Sequence, residues 1–293
     1  DSELLVTQYD GKVVESAGVI KMDFLGLKTL SIIKDCLQYI KENHNIDIDI
    51  NTIPLDDRET FELFQRGDTF GTFQFESAGM RKYLKELPHR FEDLISIKAL
   101  YRPGPMEYIP SYINRKHGIE EVVYDIPEME EILKETFGIT VYQEQVMLLS
   151  QHLAGFSKGD ADVLRKAMGK KDRKTLDSLK GKFMEGIQTK NINAQNAAKV
   201  WTDWEAFASY AFNKSHSTCY AFVAYQTAYL KAKYLPEFMA ANLKHQINIE
   251  KITQYIDQCK AGGVNVLGPD VNESKIYFAV NKKGAIRFGL SAI

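Results

Sequence analysis

The sequence predicts a mainly α protein: a multi-helix body with small β-hairpins at both ends. Three observations carry this. Apolar residues recur at helical spacing through most of the chain, with capping residues before them and glycine or proline after them. Alternation of apolar and polar residues, the mark of a strand, is confined to the two ends. The longest pattern, at 207–234, joins two helices through four polar residues, Asn213-Lys-Ser-His216. Upstream, Trp201, Trp204, Ala208 and Phe212 recur at helical spacing and close a helix that begins near Asn193. Downstream, Tyr220, Val223, Tyr225, Thr227, Ala228, Leu230 and Ala232 are nearly all apolar or aromatic, so this helix should be buried on most sides.

From the beginning of the chain, 4–9, an Asp10-Gly11 turn and 12–15 suggest a hairpin. Residues 19–24 follow as an alternating strand, which places Lys21 and Asp23 on one face. Gly26 then turns the chain into a helix with Leu30, Ile33, Leu37 and Ile40 on its apolar side. Asp56-Asp-Arg-Glu59 has the spacing of a capping box, with Phe61 and Phe64 behind it and Gly67 as the stop. Residues 72–76 should be extended, and Ser77 should cap a helix through Leu87. An amphipathic helix over 91–101 must end at Arg102-Pro-Gly-Pro105, which holds Arg102 on a stiff turn. Further helices are expected at 108–116, 127–136 (acidic) and 143–153, the last after an extended piece at 139–142. A short helix over 160–168 ends at Gly169, and Lys170-Lys171 continue in a loop before 173–190. Pro236 opens a helix to Ile247, and 249–260 makes one more before Gly262-Gly263. An extended stretch at 264–267 precedes a hairpin of 276–280 with 285–289.

With 293 residues, the chain is long enough for one large domain or two small ones. Its 44% hydrophobic and 26% charged content is ordinary for a globular protein, and no apolar run approaches a membrane span. A net charge of −2 excludes a basic nucleic-acid binder of the overall kind. Positive charge is instead concentrated at 158–190, with a weaker excess at 102–116, while 47–62 and 125–135 are acidic. Cys36, Cys219 and Cys259 are odd in number and widely spaced, and read as reduced core residues of a cytoplasmic protein.

Three constellations suggest chemistry. A helix that starts with an amide, an ammonium, a hydroxyl and an imidazole suits an anion, because its free N–H groups and dipole already favour one. The alternative is that Asn213 or Ser215 only caps the helix. Asp23 beside Lys21 suits a metal and the phosphate it carries, or else is a solvated ion pair on an edge strand. Arg165, Lys166, Lys170 and Lys171 on a helix end suit a phosphate cradle, or else form a solvated charged face.

The motifs Lys21-Met-Asp-Phe-Leu-Gly-Leu27, Phe73-Gln-Phe-Glu-Ser77, Leu100-Tyr-Arg-Pro-Gly-Pro-Met106, Tyr142-Gln-Glu-Gln-Val-Met147, Leu164-Arg-Lys-Ala-Met-Gly-Lys-Lys171 and Phe212-Asn-Lys-Ser-His216 occur together and in order. In that set, the chain resembles the catalytic alpha subunit of bacterial DNA polymerase III, the C-family replicative polymerase. Tyr225-Gln-Thr-Ala-Tyr-Leu-Lys-Ala-Lys233 and Pro269-Asp-Val-Asn-Glu-Ser274 extend the match. The resemblance implies that Asp23 is the third of three palm carboxylates holding two catalytic magnesium ions, and that Lys21 lies near the nucleotide or primer. It implies that Arg165, Lys166, Lys170, Lys171, Asn213, Lys214 and His216 contact triphosphate or template backbone, with Arg102 as a further DNA contact. The family commonly has two arginines where this chain has Arg165-Lys166; lysine keeps the charge but loses bidentate geometry.

On the same resemblance, 1–27 is the end of the palm, 28–247 the fingers, and 248–293 a distal region leading towards a helix-hairpin-helix module. The other two carboxylates, the thumb and a phosphoesterase-like domain are expected outside this piece, so it should be inactive alone. Primer–template DNA and deoxynucleoside triphosphates are the implied ligands. The sliding clamp, clamp loader and proofreading exonuclease subunit are implied partners of the parent, a bacterial cytoplasmic protein with no membrane association. Two other classes compete: a non-catalytic nucleic-acid-binding helical module, which would leave Lys21 and Asp23 without a role, and a helical scaffold for other proteins, in which the aromatic stretch is simply core.

Overall fold

A computed structural model describes residues 4–170, 172–207 and 212–292. Among them, helices α1 (Lys28–His44), α2 (Arg58–Gln65), α3 (Ala78–Leu84), α4 (Phe91–Leu100) and α5 (Ile109–Lys116) form the first part of the chain. The short α6 (Glu130–Leu133) leads to α7 (Gln143–Ala154), α8 (Lys158–Lys170), α9 (Arg173–Thr189) and α10 (Ala194–Phe207). Then come α11 (Lys214–Lys233), α12 (Leu235–Lys244) and α13 (Ile249–Ala261). The strands β1 (Val266–Leu267), β2 (Ala279–Val280) and β3 (Ile286–Arg287) make one small sheet, ordered β1-β3-β2. β1 runs parallel to β3, with Val266 opposite Ile286, and β2 runs antiparallel, with Val280 opposite Ile286. The protein is mainly α, as the helical periodicity predicts.

Three apolar clusters form the core, and two of them include residues of α11. α2 to α5 pack Phe64, Phe75, Leu94, Ile97 and Tyr112 against Ala221, Ala224, Tyr225 and Ala228 of α11. α7 to α10 form a second cluster around Phe183, Trp201 and Trp204. α1, α12, α13 and the sheet form a third, which reaches α11 at Leu230. Every residue from Ala224 to Ala228 is buried, so α11 is covered on all sides, as its composition predicts. A helix buried this way must satisfy each of its polar side chains internally. Ser217 donates to the Ile95 carbonyl at 2.7 Å, and Tyr225 donates to the Pro54 carbonyl at 2.7 Å while accepting from the Asp57 N–H at 3.0 Å. Thr227 accepts from the Phe73 N–H at 3.0 Å, and Lys231 donates to Asp68 Oδ1 at 2.7 Å and to two carbonyls of the same loop.

Several expectations change in detail. No hairpin forms at the N-terminal end among the described residues: 10–19 coil through turns such as Val14 N–H to Asp10 and Val19 N–H to Val14, and 19–27 have no regular structure and no ladder partner. An isolated two-stranded ribbon is marginal in water, and Leu5, Ile20, Met22 and Phe24 of this segment have no core to enter here. The C-terminal hairpin does form and gains β1 as a third strand. Asp57, not Asp56, caps α2, accepting from the Thr60 N–H at 2.9 Å. The 72–76 piece is turned, with Gln74 in the left-handed region at φ 56°, not extended. α3 stops at Leu84, three residues before Leu87, and α8 runs through Gly169 to Lys170. Phe212 leaves the helix it was expected to close and bridges to Tyr142 instead; Ala208 lies outside the described residues. Leu30 faces solvent because α1 buries Ile32, Ile33, Cys36, Tyr39 and Ile40 against α12 and the sheet. Cys36 and Cys259 are core thiols, but Cys219 is exposed, since the first turns of α11 project beyond the packed body.

Two predictions follow from the packing. A Cβ at Gly186 in α9 would lie 2.0 Å from the carbonyl oxygen of Ala154 at the end of α7. Gly186→Ala, normally stabilising in a helix, should therefore cost about 1–3 kcal/mol by urea denaturation. At Asp57, burial pushes the carboxyl up, but hydrogen bonds from Lys233 and Thr60 outweigh it and hold the group below the usual carboxylate range. The depressed value means that its stabilisation is complete above about pH 4 and is lost as pH falls through the folded value. Asp57→Asn keeps the cap and removes the titration, so its stability should fall less steeply below about pH 4 than that of the wild type.

Candidate nucleic-acid interface

The start of α11 is where the sequence concentrates polar groups, and local rules explain its form. Asn213 is extended at φ −70° and ψ 120°, and its Oδ1 accepts from the His216 N–H at 2.8 Å, an N-cap of the usual kind. The parallel bridge from Phe212 to Tyr142, with the Gln143 N–H donating to the Phe212 carbonyl at 2.9 Å, sets the beginnings of α7 and α11 side by side. Between them lies a carboxylate. Glu144, in the first turn of α7, accepts from Asn213 Nδ2 at 2.7 Å through Oε1 and from the Lys214 N–H at 2.9 Å through Oε2. Both helix dipoles favour a negative charge at that point. Lys214 Nζ in turn reaches both oxygens of Glu135, at 2.9 and 2.8 Å, and lies 5.3 Å from the Tyr142 ring centre. The helix end does hold an anion, and the anion is the protein's own.

Alongside runs a layer of aromatic rings and cations. The Arg102 guanidinium lies 4.2 Å above the Phe212 ring, and its Nε donates to the Ala99 carbonyl at 2.9 Å. Phe212 meets His216 edge-on at 5.1 Å; His216 stacks on Tyr220 at 4.2 Å with 17° between planes; Tyr220 meets Phe73 at 5.3 Å. Lys98 Nζ lies 5.9 Å from the Tyr220 centre. His216 is exposed, while Arg102, Phe212 and Tyr220 are half-buried. Burial pulls the Lys98 ammonium down from its ordinary range, and the nearby Arg102 charge pulls it further. Burial alone lowers Arg102. Among the described residues no carboxylate pairs with Lys98, so an arriving anion would relieve a standing repulsion.

The other expected residues lie elsewhere. On α8, Arg165 donates to Asp162 Oδ1 from Nε at 3.0 Å and from Nη2 at 2.7 Å, and Lys166 reaches the other oxygen of Asp162 at 2.8 Å. Hydrogen bonds from Lys166 and then Arg165 hold the Asp162 carboxyl below its usual range. Lys170 is exposed at the end of α8, and Lys171 lies outside the described residues. Lys21 and Asp23 are exposed on the irregular 19–27 segment. The structure thus gathers Arg102, Asn213, Lys214 and His216 into one surface; no hydrogen bond or ion pair among the described residues joins that surface to α8 or to Asp23. Sequence reasoning missed Lys98, Glu135 and Glu144. Glu144 stood inside a quoted motif, but only the pairing of Tyr142 with Phe212 reveals its partner.

Residues 29–191 match the family model described as the bacterial DNA polymerase III alpha subunit finger domain. This match covers more than half of the chain. The chain belongs to the bacterial DNA polymerase III alpha-subunit family. It is 47% identical over 292 residues to the DNA polymerase III subunit alpha of Aquifex aeolicus, 99% of this chain and 25% of that protein. It is 50% identical over 295 residues to the subunit of Chlamydia trachomatis, covering 100% of this chain and 24% of the relative, and 46% identical over 295 residues to that of Thermus aquaticus, covering 98% and 24%. The chain therefore spans about a quarter of the length of these relatives. No helix among the described residues of this fingers region is long and apolar enough to cross a membrane.

The Glu144 contact separates Asn213 from an ordinary cap. Asn213→Ala should cost about 1 kcal/mol in denaturant unfolding, the usual loss of a capping bond. Asn213→Asp would normally be an equal cap, yet here it sets a second carboxylate against Glu144 Oε1, and its loss should match or exceed that of the alanine variant. An aspartate variant as stable as the wild type would show that Glu144 does not sit on Asn213 in solution.

Proposed function

We propose that this chain is the fingers region of a DNA-directed DNA polymerase. In the whole protein it would serve template-dependent transfer of a nucleotide from a deoxynucleoside triphosphate to a primer 3′-oxygen, with release of pyrophosphate. The observation that carries this reading is the layer in which Lys98 and Arg102 stand over the Phe212–His216–Tyr220 stack. A nucleotide or nucleic-acid strand offers what that layer lacks: negative charge for the half-buried Lys98 ammonium and a flat ring for an exposed stacked imidazole. The relatives, each a DNA polymerase III subunit alpha, support the same class.

The residues divide the work by position. Lys98 and Arg102 neutralise phosphate charge, and burial strengthens their attraction for it. His216, set upright by its neighbours Phe212 and Tyr220, offers a stacking face. Lys214 can reach a phosphate only by exchanging Glu135 for it, so its contribution is conditional. Arg165, Lys166 and Lys170 supply a separate cationic stretch for backbone contact, partly offset by Asp162.

Magnesium, expected from the resemblance, needs more than this piece provides. Asp23 is a lone exposed carboxylate, and no group of three or more His, Cys, Asp or Glu gathers among the described residues. A two-metal clamp requires several oxygen ligands. Asp23 alone does not fit two ions, and no step is assigned to them. Primer–template DNA and deoxynucleoside triphosphates are the proposed ligands. The sliding clamp, clamp loader and proofreading exonuclease subunit are proposed partners of the whole protein, acting in the bacterial cytoplasm.

Fluorescence anisotropy of a labelled primer–template, titrated with this chain across a salt series, tests the reading. Binding should weaken with a log–log slope of roughly −3 to −5 as counterions are released. A Lys98→Ala/Arg102→Ala double variant, and separately a Lys170→Ala/Lys171→Ala one, should each make that slope shallower by about 1–2. No primer extension is expected from the chain alone with magnesium and all four nucleotides. DNA binding that ignores salt and both double variants would sink the proposal.

A further inference from the structure

The two carboxylates at the start of α11 are held in different ways. Glu144 accepts from the Asn213 side chain and from the Lys214 N–H, groups that belong to the helix start itself. Taking it away would leave a backbone N–H at a helix end without its acceptor, so Glu144 is a fixed part of the fold. Glu135 is bound by side chains alone. Both its oxygens accept from Lys214 Nζ, at 2.9 and 2.8 Å, and Gln145 Nε2 lies 3.4 Å from Oε1.

This second pair is built to part. The side chains of Lys214 and Glu135 are 38% and 39% exposed, and an ion pair so open to water contributes little to stability. The backbone beneath it is pinned: Arg90 Nη2 donates to the Glu135 carbonyl at 3.2 Å, Thr136 Oγ1 to the Ile139 carbonyl at 2.6 Å, and the Gly138 N–H to the Leu133 carbonyl at 3.0 Å. Separation is therefore a rotation of two side chains and not a movement of the chain. Room for it exists, because Lys214 and Glu135 both line a cleft of about 690 Å³ beside α6 and α7. A phosphate oxygen offers Lys214 the same charge-assisted bond that the carboxylate does.

We propose that Glu135 is an autoinhibitory carboxylate of the interface: in the free protein it holds Lys214, and an arriving phosphate must displace it to gain that ammonium. This rests on the nucleic-acid reading of the surface and adds its regulation. Glu135 thus lowers affinity from within, and removing its charge strengthens binding, the opposite of what loss of an interface contact does.

Anisotropy of a labelled primer–template at one salt concentration compares the wild type with Glu135→Gln, Lys214→Ala and the double variant. Glu135→Gln should bind about two- to five-fold more tightly, the scale of an exposed ion pair, and adding Lys214→Ala should remove that gain. Glu131→Gln controls for charge alone. Glu131 lines the same cleft, but its partner is His152, at 3.6 Å, so its affinity should change by less than about 1.5-fold. Glutamine keeps the size of either side chain, and urea curves matching the wild type check that the variants fold alike. Glu135→Gln that binds no more tightly than the wild type overturns the proposal. So does a gain that Glu131→Gln shares or that survives Lys214→Ala. With salt-dependent binding by the wild type, any of these results sinks the competitor and leaves the polymerase reading standing; no binding by any of the proteins sinks both.

Discussion

The structure depends on α11 being enclosed beyond its first turns. A buried helix gains from its apolar side chains and loses on every polar group left without a partner. α11 carries Ser217, Tyr225, Gln226, Thr227 and Lys231 in its buried part, so the surrounding chain has to bring an acceptor or donor to each. That demand explains the irregular stretches between 50 and 75. Ile50, Pro54, Asp57, Asp68, Phe70 and Phe73 all present backbone or side-chain groups to α11. Burial lowers the Lys231 ammonium, and the Asp68 carboxylate and two carbonyls offset that cost. The loops are shaped by the helix they serve.

The same helix ends in the open. At Asn213 the cover stops, and the projecting first turns carry His216 and Cys219 into solvent. An uncovered helix beginning next to another helix beginning is a strong attractor for negative charge. In this state Glu144 and Glu135 meet that attraction, one on the helix end and one on Lys214. Two more cations, Lys98 and Arg102, come from α4 and the turn after it, one layer away across the aromatic stack, and Lys98 has no carboxylate partner among the described residues. The proposed interface thus lies where burial gives out, between groups whose own partners are internal and the Lys98 ammonium, which has no carboxylate partner among the described residues.

Much of this was legible in order along the chain. Periodicity marked the helices because an apolar stripe is visible without knowing its partner, and Ser77 and Asn213 were recognisable caps because capping is decided within three residues. Arg102 was recognisable as fixed, since Pro103 and Pro105 leave its turn little freedom. Failures fell where a local pattern needed a distant partner. The alternation at 4–24 is a strand pattern, but a strand is stable only against a neighbour. Phe212 has the spacing to end α10, yet the pairing with Tyr142 claims it. The basic run at 165–170 is visible as charge, while its partial neutralisation by Asp162 is a matter of rotamers.

The sequence by itself determined the helical class, the burial of α11, its cap and the family to which the motifs belong, because these rest on spacing and composition within short windows. Tertiary structure alone decided that Glu144 and Glu135 occupy the start of α11, that Lys98 joins Arg102 beside the Phe212–His216–Tyr220 stack, and that Trp204, beside Trp201, packs against Phe183. Each of these joins residues tens of positions apart in the chain. Charge and hydrogen bonding act over a few ångströms of space, and only the packed chain says which groups share that space.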